Sequence, residues 1–298
     1  MKKIIAHIAL AMLTLAVPAP SHAQAEEMEQ NMFESMREND KAAIVAVHAG
    51  SDDDFTLQRI SRFNDKLRKA FPQCEFREAW TSRRSANSSS RCTPDELLQQ
   101  LKKEGFTHVL VQSSDIANST EMQNLRSVIE AAKNMFMQIR LGEPLLHSAS
   151  DYNKVIDIMS KTYGAEKTSN VFLCTTSTTE EEAQVTMLEY MMRDKGLTNW
   201  HASTTDGYPS IESLVRQLKA GKTKKVHLIP FSFADSSQDI ATKISEWAQT
   251  LKNAGYKVTA EQSCVGDIDG IIDLYEQHCK HAENYRTLTA KERMLLKN

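Results

Sequence analysis

Continuous apolar runs alternate with amphipathic stretches along the chain, and the whole alternation occurs twice. Residues 42–47 and 109–111 in the first half, and residues 170–174 and 226–231 in the second, are mostly apolar without a two-residue period. Strands covered on both faces have this pattern, because helices bury both sides of a parallel sheet. Between the runs, apolar side chains recur every third or fourth position, as in amphipathic helices. The order predicts βαβ units and parallel sheets.

The two halves of this pattern also resemble each other in sequence. Residues 101–111 align without gaps with residues 218–228, each segment running from Leu-Lys into an apolar strand. We therefore expect an α/β protein of two similar, doubly wound parallel-sheet lobes, an N-terminal lobe at 41–142 and a C-terminal lobe at 143–298. Open α/β sheets bind ligands beyond the carboxyl ends of their strands. A cleft between the lobes is therefore the expected binding site.

The first 40 residues precede this pattern and differ from it. Residues 1–23 combine a basic start, an apolar run at 4–17 and a Ser-His-Ala cleavage site, which predicts a signal peptide cleaved after Ala23. The polar leader at 24–40 has methionines at helical spacing and is predicted to form a frayed helix. We expect a periplasmic protein that is not inserted in the membrane after cleavage.

Charge and motifs narrow the function classes. The formal net charge is −3, and loss of the two lysines of the signal leaves 34 basic against 39 acidic residues, a net charge of −5. A nucleic-acid partner is not expected, because nucleic-acid binding favours a basic surface. The sequence has no Walker A or GxGxxG motif, so no nucleotide cofactor is expected either.

Five cysteines remain after the signal. An exported protein can form disulfides, but an odd count leaves at least one free thiol. We expect Cys264 to pair with Cys279, and Cys74 to pair with Cys92. Cys174 lies inside the apolar run at 170–174, where it is expected to be a small buried side chain.

Aromatic and basic residues gather at predicted strand ends. Trp80 ends one strand, and Phe231 and Phe233 follow another, so each could offer a flat apolar surface to a ring system. Arg83 and Arg84 lie in the Ser-rich loop after Trp80, and guanidinium groups pair well with carboxylates. These five residues are the candidates for binding a planar, carboxylated molecule.

The ordered motifs resemble those of the anaerobic sirohydrochlorin cobaltochelatases, a family of class II chelatases. The likeness covers roughly residues 41–279. It implies a two-lobed fold that inserts a divalent metal ion, Co²⁺ or Fe²⁺, into a tetrapyrrole, in a protein that tends to form homo-oligomers. The matching segments are 79–82 (Ala-Trp-Thr-Ser), 104–109 (Glu-Gly-Phe-Thr-His-Val), 141–146 (Leu-Gly-Glu-Pro-Leu-Leu) and 206–210 (Asp-Gly-Tyr-Pro-Ser).

The residues expected to bind the metal depart from the family pattern. The resemblance implies two histidines and a glutamate in the second lobe, and these positions are occupied here by Thr175, Gln238 and Asp206. One carboxylate is retained, whereas both imidazoles, which bind Co²⁺ or Fe²⁺ well and accept protons, are replaced. Three functions therefore stay open: a cobaltochelatase, a carrier or sensor that binds a tetrapyrrole or metal without insertion, or a protein that binds another small molecule in the same cleft.

Residues of the first lobe could compensate for this loss. His48 closes the first strand of that lobe and is expected to face the cleft, so Asp206 and His48 are the candidate metal ligands. The alternative for His48 is a polar residue that simply lines the cleft. Asp115 ends the strand at 109–111, where the family often has a histidine, and is a further candidate for the cleft.

Overall fold

In the computed structural model, the chain is described at residues 27–81, 91–164, 167–221, 223–233, 237–288 and 290–296. The predicted signal peptide at 1–23 and the side chains of Arg83 and Arg84 lie outside these residues, as does the side chain of Gln238. In the described part of the chain, no helix combines the length and apolarity needed to cross a bilayer.

The first half of the chain forms a four-stranded sheet in the order β3-β2-β4-β5, with every pair of neighbours parallel. Strand β2 is buried along its whole length, as its unbroken apolar run predicts. The elements are β1 (Glu27–Glu29), β2 (Ala42–His48), α1 (Asp54–Ala70), β3 (Glu75–Trp80), α2 (Pro94–Lys103), β4 (His108–Ser113), α3 (Thr120–Ala132) and β5 (Gln138–Gly142).

The second half repeats this arrangement in a sheet of order β7-β6-β8-β9, again parallel throughout. The equivalent strand order in both sheets confirms the predicted α/β fold with two similar lobes. The elements are α4 (Ala149–Tyr163), β6 (Ser169–Cys174), α5 (Thr179–Asp194), β7 (Trp200–Thr204), α6 (Ile211–Ala220), β8 (Lys225–Pro230), α7 (Ser237–Asn253), β9 (Lys257–Ala260), α8 (Asp269–Asn284), β10 (Tyr285–Thr287) and α9 (Ala290–Leu296).

The last long helix, α8, lies against the first sheet rather than the second. It packs on β4 and β5 and against α1. The lobe boundary at residue 142 stays a prediction, but the chain after it does not remain in one lobe. The apolar face of α8 is compatible with either sheet, so its sequence pattern alone does not show which one it covers.

Residues 27–40, the described part of the leader, do not form the predicted helix. Residues 27–29 pair as β1 with β10 in an antiparallel ribbon, and Met32 is fully buried. Arg140 holds this ribbon in place, because its Nη1 donates to the carbonyl oxygens of Gln30 at 2.8 Å and Glu283 at 2.8 Å. The pairing joins segments at opposite ends of the chain, which local helical spacing does not predict.

The predicted disulfides are also wrong, because none of the five cysteines takes part in a disulfide bond. Cys264 precedes α8, whereas Cys279 lies ten residues beyond the first residue of that helix. At 1.5 Å per residue the helix alone puts Cys279 about 15 Å from Asp269, a span longer than a disulfide bridges. Cys74 and Cys92 lie beyond opposite ends of β3, since the carbonyl of Cys92 accepts from the Trp80 amide.

Three aromatic rings from different parts of the chain join the two lobes. Phe63 of α1, Phe233 after β8 and Tyr275 of α8 are each within 5.3–5.6 Å of the other two, in edge-to-face contacts. We call these three residues the aromatic joint. All three are buried, and such pairs add to the stabilisation that burial alone supplies.

Candidate functional site

A cavity of about 280 Å³ lies between the carboxyl ends of the two sheets. The ends of β4, β6 and β8 and the first turns of α3 and α5 form its walls. This is the position at which parallel α/β sheets bind ligands, and it agrees with the cleft predicted from the sequence. The lining includes Ser114, Asp115, Ser119, Glu121, Cys174, Thr175, Glu181, Phe231 and Phe233.

Three of the sequence-predicted residues lie together in this cavity. Thr175 directly follows β6 and exposes its side chain to it. Phe231 and Phe233 follow β8 and form part of the wall, and Phe231 packs against Phe172 with ring centroids 4.9 Å apart. Their positions follow from strand ends that the sequence located. The cavity therefore combines an apolar wall with a hydroxyl at the position where the sequence resemblance implies an imidazole.

Asp206 does not line the cavity. Its carboxylate is exposed, and its Oδ1 accepts a hydrogen bond from the Nζ of Lys243 on α7 at 2.9 Å. This bond with Lys243 holds the pKa of Asp206 below its ordinary value. The neighbouring Gly207 allows close packing, because a Cβ there would lie 2.3 Å from an oxygen of Glu182. The family carboxylate is thus paired with a cation of the same chain.

His48 is buried rather than turned into the cavity. Its Nδ1 is 2.9 Å from the hydroxyl of Ser114, and its Nε2 is 2.9 Å from the amide oxygen of Asn64. Burial lowers the pKa of His48 to about 4, against the smaller opposing effect of the Asn64 bond. Both ring nitrogens are occupied, so a metal ion at His48 would have to displace one of these partners.

The buried His48 has a consequence for stability at acid pH. The folded pKa of about 4 lies below the ordinary value of 6.5, so the unfolded chain binds the proton first. The contribution of neutral His48 to the free energy of unfolding is complete above pH 6.5 and is lost as the pH falls towards 4. Between these values the free energy of unfolding falls by at most about 1.4 kcal/mol per pH unit.

The prediction is that replacing His48 with glutamine removes this part of the acid dependence. Urea unfolding at several values of pH between 7 and 4 measures it. The control is His147→Gln, at an exposed site, which should keep the wild-type slope. Equal slopes for wild type and His48→Gln would contradict the assignment.

Trp80 does not offer a free face to a ligand. It is 7% exposed, and the guanidinium of Arg91 lies 4.2 Å from its ring centroid. The Nη2 of Arg91 also donates to the carbonyl of Ser51 at 2.8 Å. Trp80 is absent from the cavity wall. The strand end was located correctly by the sequence, but the cation that covers the ring comes from the far side of the loop.

Asp115 is one of the carboxylates that the structure places in the cavity wall. Its Oδ1 accepts from the hydroxyl of Ser119 at 3.1 Å, and its Oδ2 accepts from the hydroxyl of Ser113. Burial raises the pKa of Asp115 to about 6, and the negative charges of Glu121 and Glu181 act in the same direction. The two serine bonds only partly oppose this rise.

Glu181 is a cavity residue that the sequence analysis missed. Its Oε2 accepts from the backbone amides of Ser177 at 2.7 Å and Thr178 at 3.1 Å, which caps the start of α5. The spacing of Thr178 and Glu181 is that of a capping box, a signal visible in the sequence.

Across the described residues, no group of three or more His, Cys, Asp or Glu side chains is arranged to hold a metal ion.

The paired parallel sheets and the cavity between their strand ends define the class of two-lobed, chelatase-like α/β proteins. The family model described as Cobalt chelatase (CbiK) matches residues 41–284. The chain belongs to this family, which confirms the resemblance seen in the sequence.

Two curated relatives and one solved structure extend this finding. The chain is 23% identical over 256 residues to the sirohydrochlorin cobaltochelatase of Salmonella typhimurium, covering 82% of this chain and 97% of the relative. It is 24% identical over 252 residues to the sirohydrochlorin cobaltochelatase CbiKC of Nitratidesulfovibrio vulgaris, covering 80% and 89%. The structure of SirB from Bacillus subtilis with Fe³⁺ is similar in fold, with a TM-score of 0.60, 14% identity and coverage of 82% and 96%.

Proposed function

We propose that this chain is an exported chelatase that inserts Co²⁺ or Fe²⁺ into sirohydrochlorin or a related tetrapyrrole, in tetrapyrrole or cobalamin biosynthesis. The observation that carries the proposal is the cavity between the strand ends, in a chain whose family match spans both lobes. Export rests on the leader at 1–23. Secreted protein whose first residue is not Gln24 would contradict the cleavage site.

The cavity suits the edge of a tetrapyrrole. Its volume of about 280 Å³ is at the lower limit of small-molecule sites, so a macrocycle would enter by one edge and extend past the opening. The rings of Phe231 and Phe233 supply apolar wall for that edge. We propose Thr175, Gln238 and Asp206 as the residues at the family's metal-handling positions, with metal and macrocycle both as substrates.

A second candidate function is that of a carrier or sensor without insertion activity. The ion pair of Asp206 with Lys243 favours it, because a metal ion arriving at this carboxylate must compete with a lysine 2.9 Å away. The hydroxyl of Thr175 is also a weaker ligand than imidazole. Such a protein would bind the macrocycle or the metal and release it unchanged.

One assay separates the two functions. The purified chain is mixed with sirohydrochlorin and Co²⁺, and the absorbance of the macrocycle is followed against the uncatalysed reaction. We expect acceleration by the wild type and a clear loss of it in Asp206→Ala. The control Asp194→Ala removes an exposed carboxylate at the end of α5 and should have no effect.

The other outcomes of this assay are equally informative. A spectral change on binding without acceleration would contradict the chelatase and support the carrier. The absence of both binding and acceleration would contradict the two functions together.

A further inference from the structure

Metal insertion releases protons that some group must accept. Each metal ion replaces two pyrrole N–H protons, so a base near the macrocycle has to be unprotonated at the working pH and able to accept a proton. A threonine hydroxyl and a glutamine amide are not bases near neutral pH. The residues at two of the family positions, Thr175 and Gln238, therefore cannot supply this step.

The other predicted site residues do not supply it from the cavity either. Asp206 is exposed, bonded to Lys243 and outside the cavity wall. His48 has both nitrogens in hydrogen bonds and is also absent from the wall. The described residues that line the cavity include no histidine or lysine. Among the described residues, the ionisable groups of the wall are therefore the carboxylates Asp115, Glu121 and Glu181 and the thiol of Cys174, whose pKa burial raises far above neutrality.

The partners of these carboxylates distinguish them. The Oε2 of Glu181 accepts from two backbone amides and from the hydroxyls of Ser177 and Thr178, so this carboxylate is engaged as the cap of α5. Glu121 is exposed in the first turn of α3. Asp115 accepts only from serine hydroxyls in the described contacts, and a hydroxyl can rotate and accept instead. The surroundings of Asp115 thus tolerate both its ionised and its protonated form.

The backbone holds Asp115 firmly at the cavity wall. Its carbonyl oxygen accepts from the amide of Leu145 at 3.1 Å and from the hydroxyl of Tyr275 at 3.1 Å. Its own amide donates to the hydroxyl of Ser113 at 3.1 Å. These contacts come from the segment after β5, from α8 and from β4, so the carboxylate is positioned by three parts of the fold.

We propose that the Asp115 carboxylate accepts the protons released by the tetrapyrrole nitrogens during metal insertion, an inference that rests on the proposed function. In each transfer a pyrrole N–H bond breaks, its electron pair stays on nitrogen and binds the metal ion, and the proton passes to an oxygen of Asp115. The protonated acid then releases its proton to water at the cavity opening before the second transfer.

The direction of the pH dependence follows from the surroundings of Asp115. The base form predominates above a pKa of about 6, so the insertion rate rises with pH through that value and levels off near neutrality. The charged groups that face Asp115 are Glu121 of α3 and Glu181 of α5, and Tyr275 of α8 contacts its carbonyl. Removing either glutamate charge favours ionisation of Asp115 and moves the profile to lower pH.

The experiment measures initial insertion rates of Co²⁺ into sirohydrochlorin between pH 5 and 8.5, with the uncatalysed rate subtracted at each pH. Asp115→Asn is expected to lose about 100-fold or more in rate at pH 7.5. It should also lose the acidic limb of the profile, which is the rise in rate with pH below neutrality. Binding of metal-free sirohydrochlorin, followed by its absorbance, should stay near the wild-type affinity. Glu121→Gln is expected to keep the acidic limb and shift it to lower pH.

The readouts separate a catalytic from a structural effect. The thermal midpoint of Asp115→Asn at pH 7 should not fall, because the fold disfavours the ionised aspartate relative to its ordinary pKa. If the wild type inserts the metal and Asp115→Asn has the same rate and the same acidic limb, the proposal for Asp115 is overturned while the proposed function stands. An unmoved limb in Glu121→Gln would also count against it. A wild type that binds the macrocycle without accelerating insertion overturns both this proposal and the proposed function.

Discussion

Replacing Tyr275 with alanine is expected to lower the free energy of unfolding by about 3–5 kcal/mol, because it empties a large, fully enclosed site. Tyr275 is completely buried in α8, where it belongs to the aromatic joint with Phe63 and Phe233. Its hydroxyl donates to the carbonyls of Ser114 at 3.0 Å and Asp115 at 3.1 Å. The substitution removes the packing between the lobes and these two hydrogen bonds together.

Urea unfolding with a fluorescence or circular dichroism signal measures this loss. Tyr275→Phe keeps the ring and is expected to lose only about 1–3 kcal/mol, the cost of removing this donor from the buried carbonyl of Ser114. Tyr190→Ala is the matched control, because Tyr190 is 60% exposed and its loss should change stability by no more than about 0.5 kcal/mol. A loss below about 1 kcal/mol for Tyr275→Ala would show that the joint does not couple the lobes.

The second large effect is expected from restoring the family's imidazoles. The double variant Thr175→His with Gln238→His should raise the initial rate of Co²⁺ insertion by about 10²-fold over wild type. Imidazole binds Co²⁺ and Fe²⁺ far better than a hydroxyl or an amide, and in its neutral form it accepts a proton. Thr175 already lines the cavity, so its replacement adds a ligand where the strand ends converge.

The same absorbance assay checks this expectation. Thr162→His adds an imidazole at an exposed position on α4 and controls for metal binding elsewhere on the surface. Its rate should equal that of the wild type. An unchanged rate in the double variant would mean that the cleft no longer holds metal and macrocycle at the family's positions.

The strands of both sheets were predictable because their signal is local. The runs at 42–47, 170–174 and 226–231 correspond to β2 (Ala42–His48), β6 (Ser169–Cys174) and β8 (Lys225–Pro230). Each of these strands is covered on both faces, so almost every position is apolar whatever its neighbours are. The leader carried no such signal. Its pairing as β1 with β10 depends on a segment more than 250 residues away.

The sequence predicted where the cavity lies and some, but not all, of the residues that line it. Thr175, Phe231 and Phe233 line it because parallel strands deliver the residues after them to a common edge. His48 also ends a strand, yet it turns to Asn64 and Ser114 inside the first lobe. The sequence does not show whether a side chain at a strand end points into the cavity or into its own lobe, because this depends on the helices that pack against that end of the sheet.

The amino-acid sequence by itself determined the two parallel-sheet lobes and the edge at which a ligand would bind, because apolar periodicity and strand order express both. Its ordered motifs carried the resemblance to the family. Only the tertiary structure decided which carboxylate faces the cavity and which is paired with a lysine. It also placed α8 against the first sheet and kept the five cysteines out of disulfide bonds. These outcomes depend on distances between segments far apart in the chain, and the hydrophobic pattern of one segment does not specify which other segment packs against it.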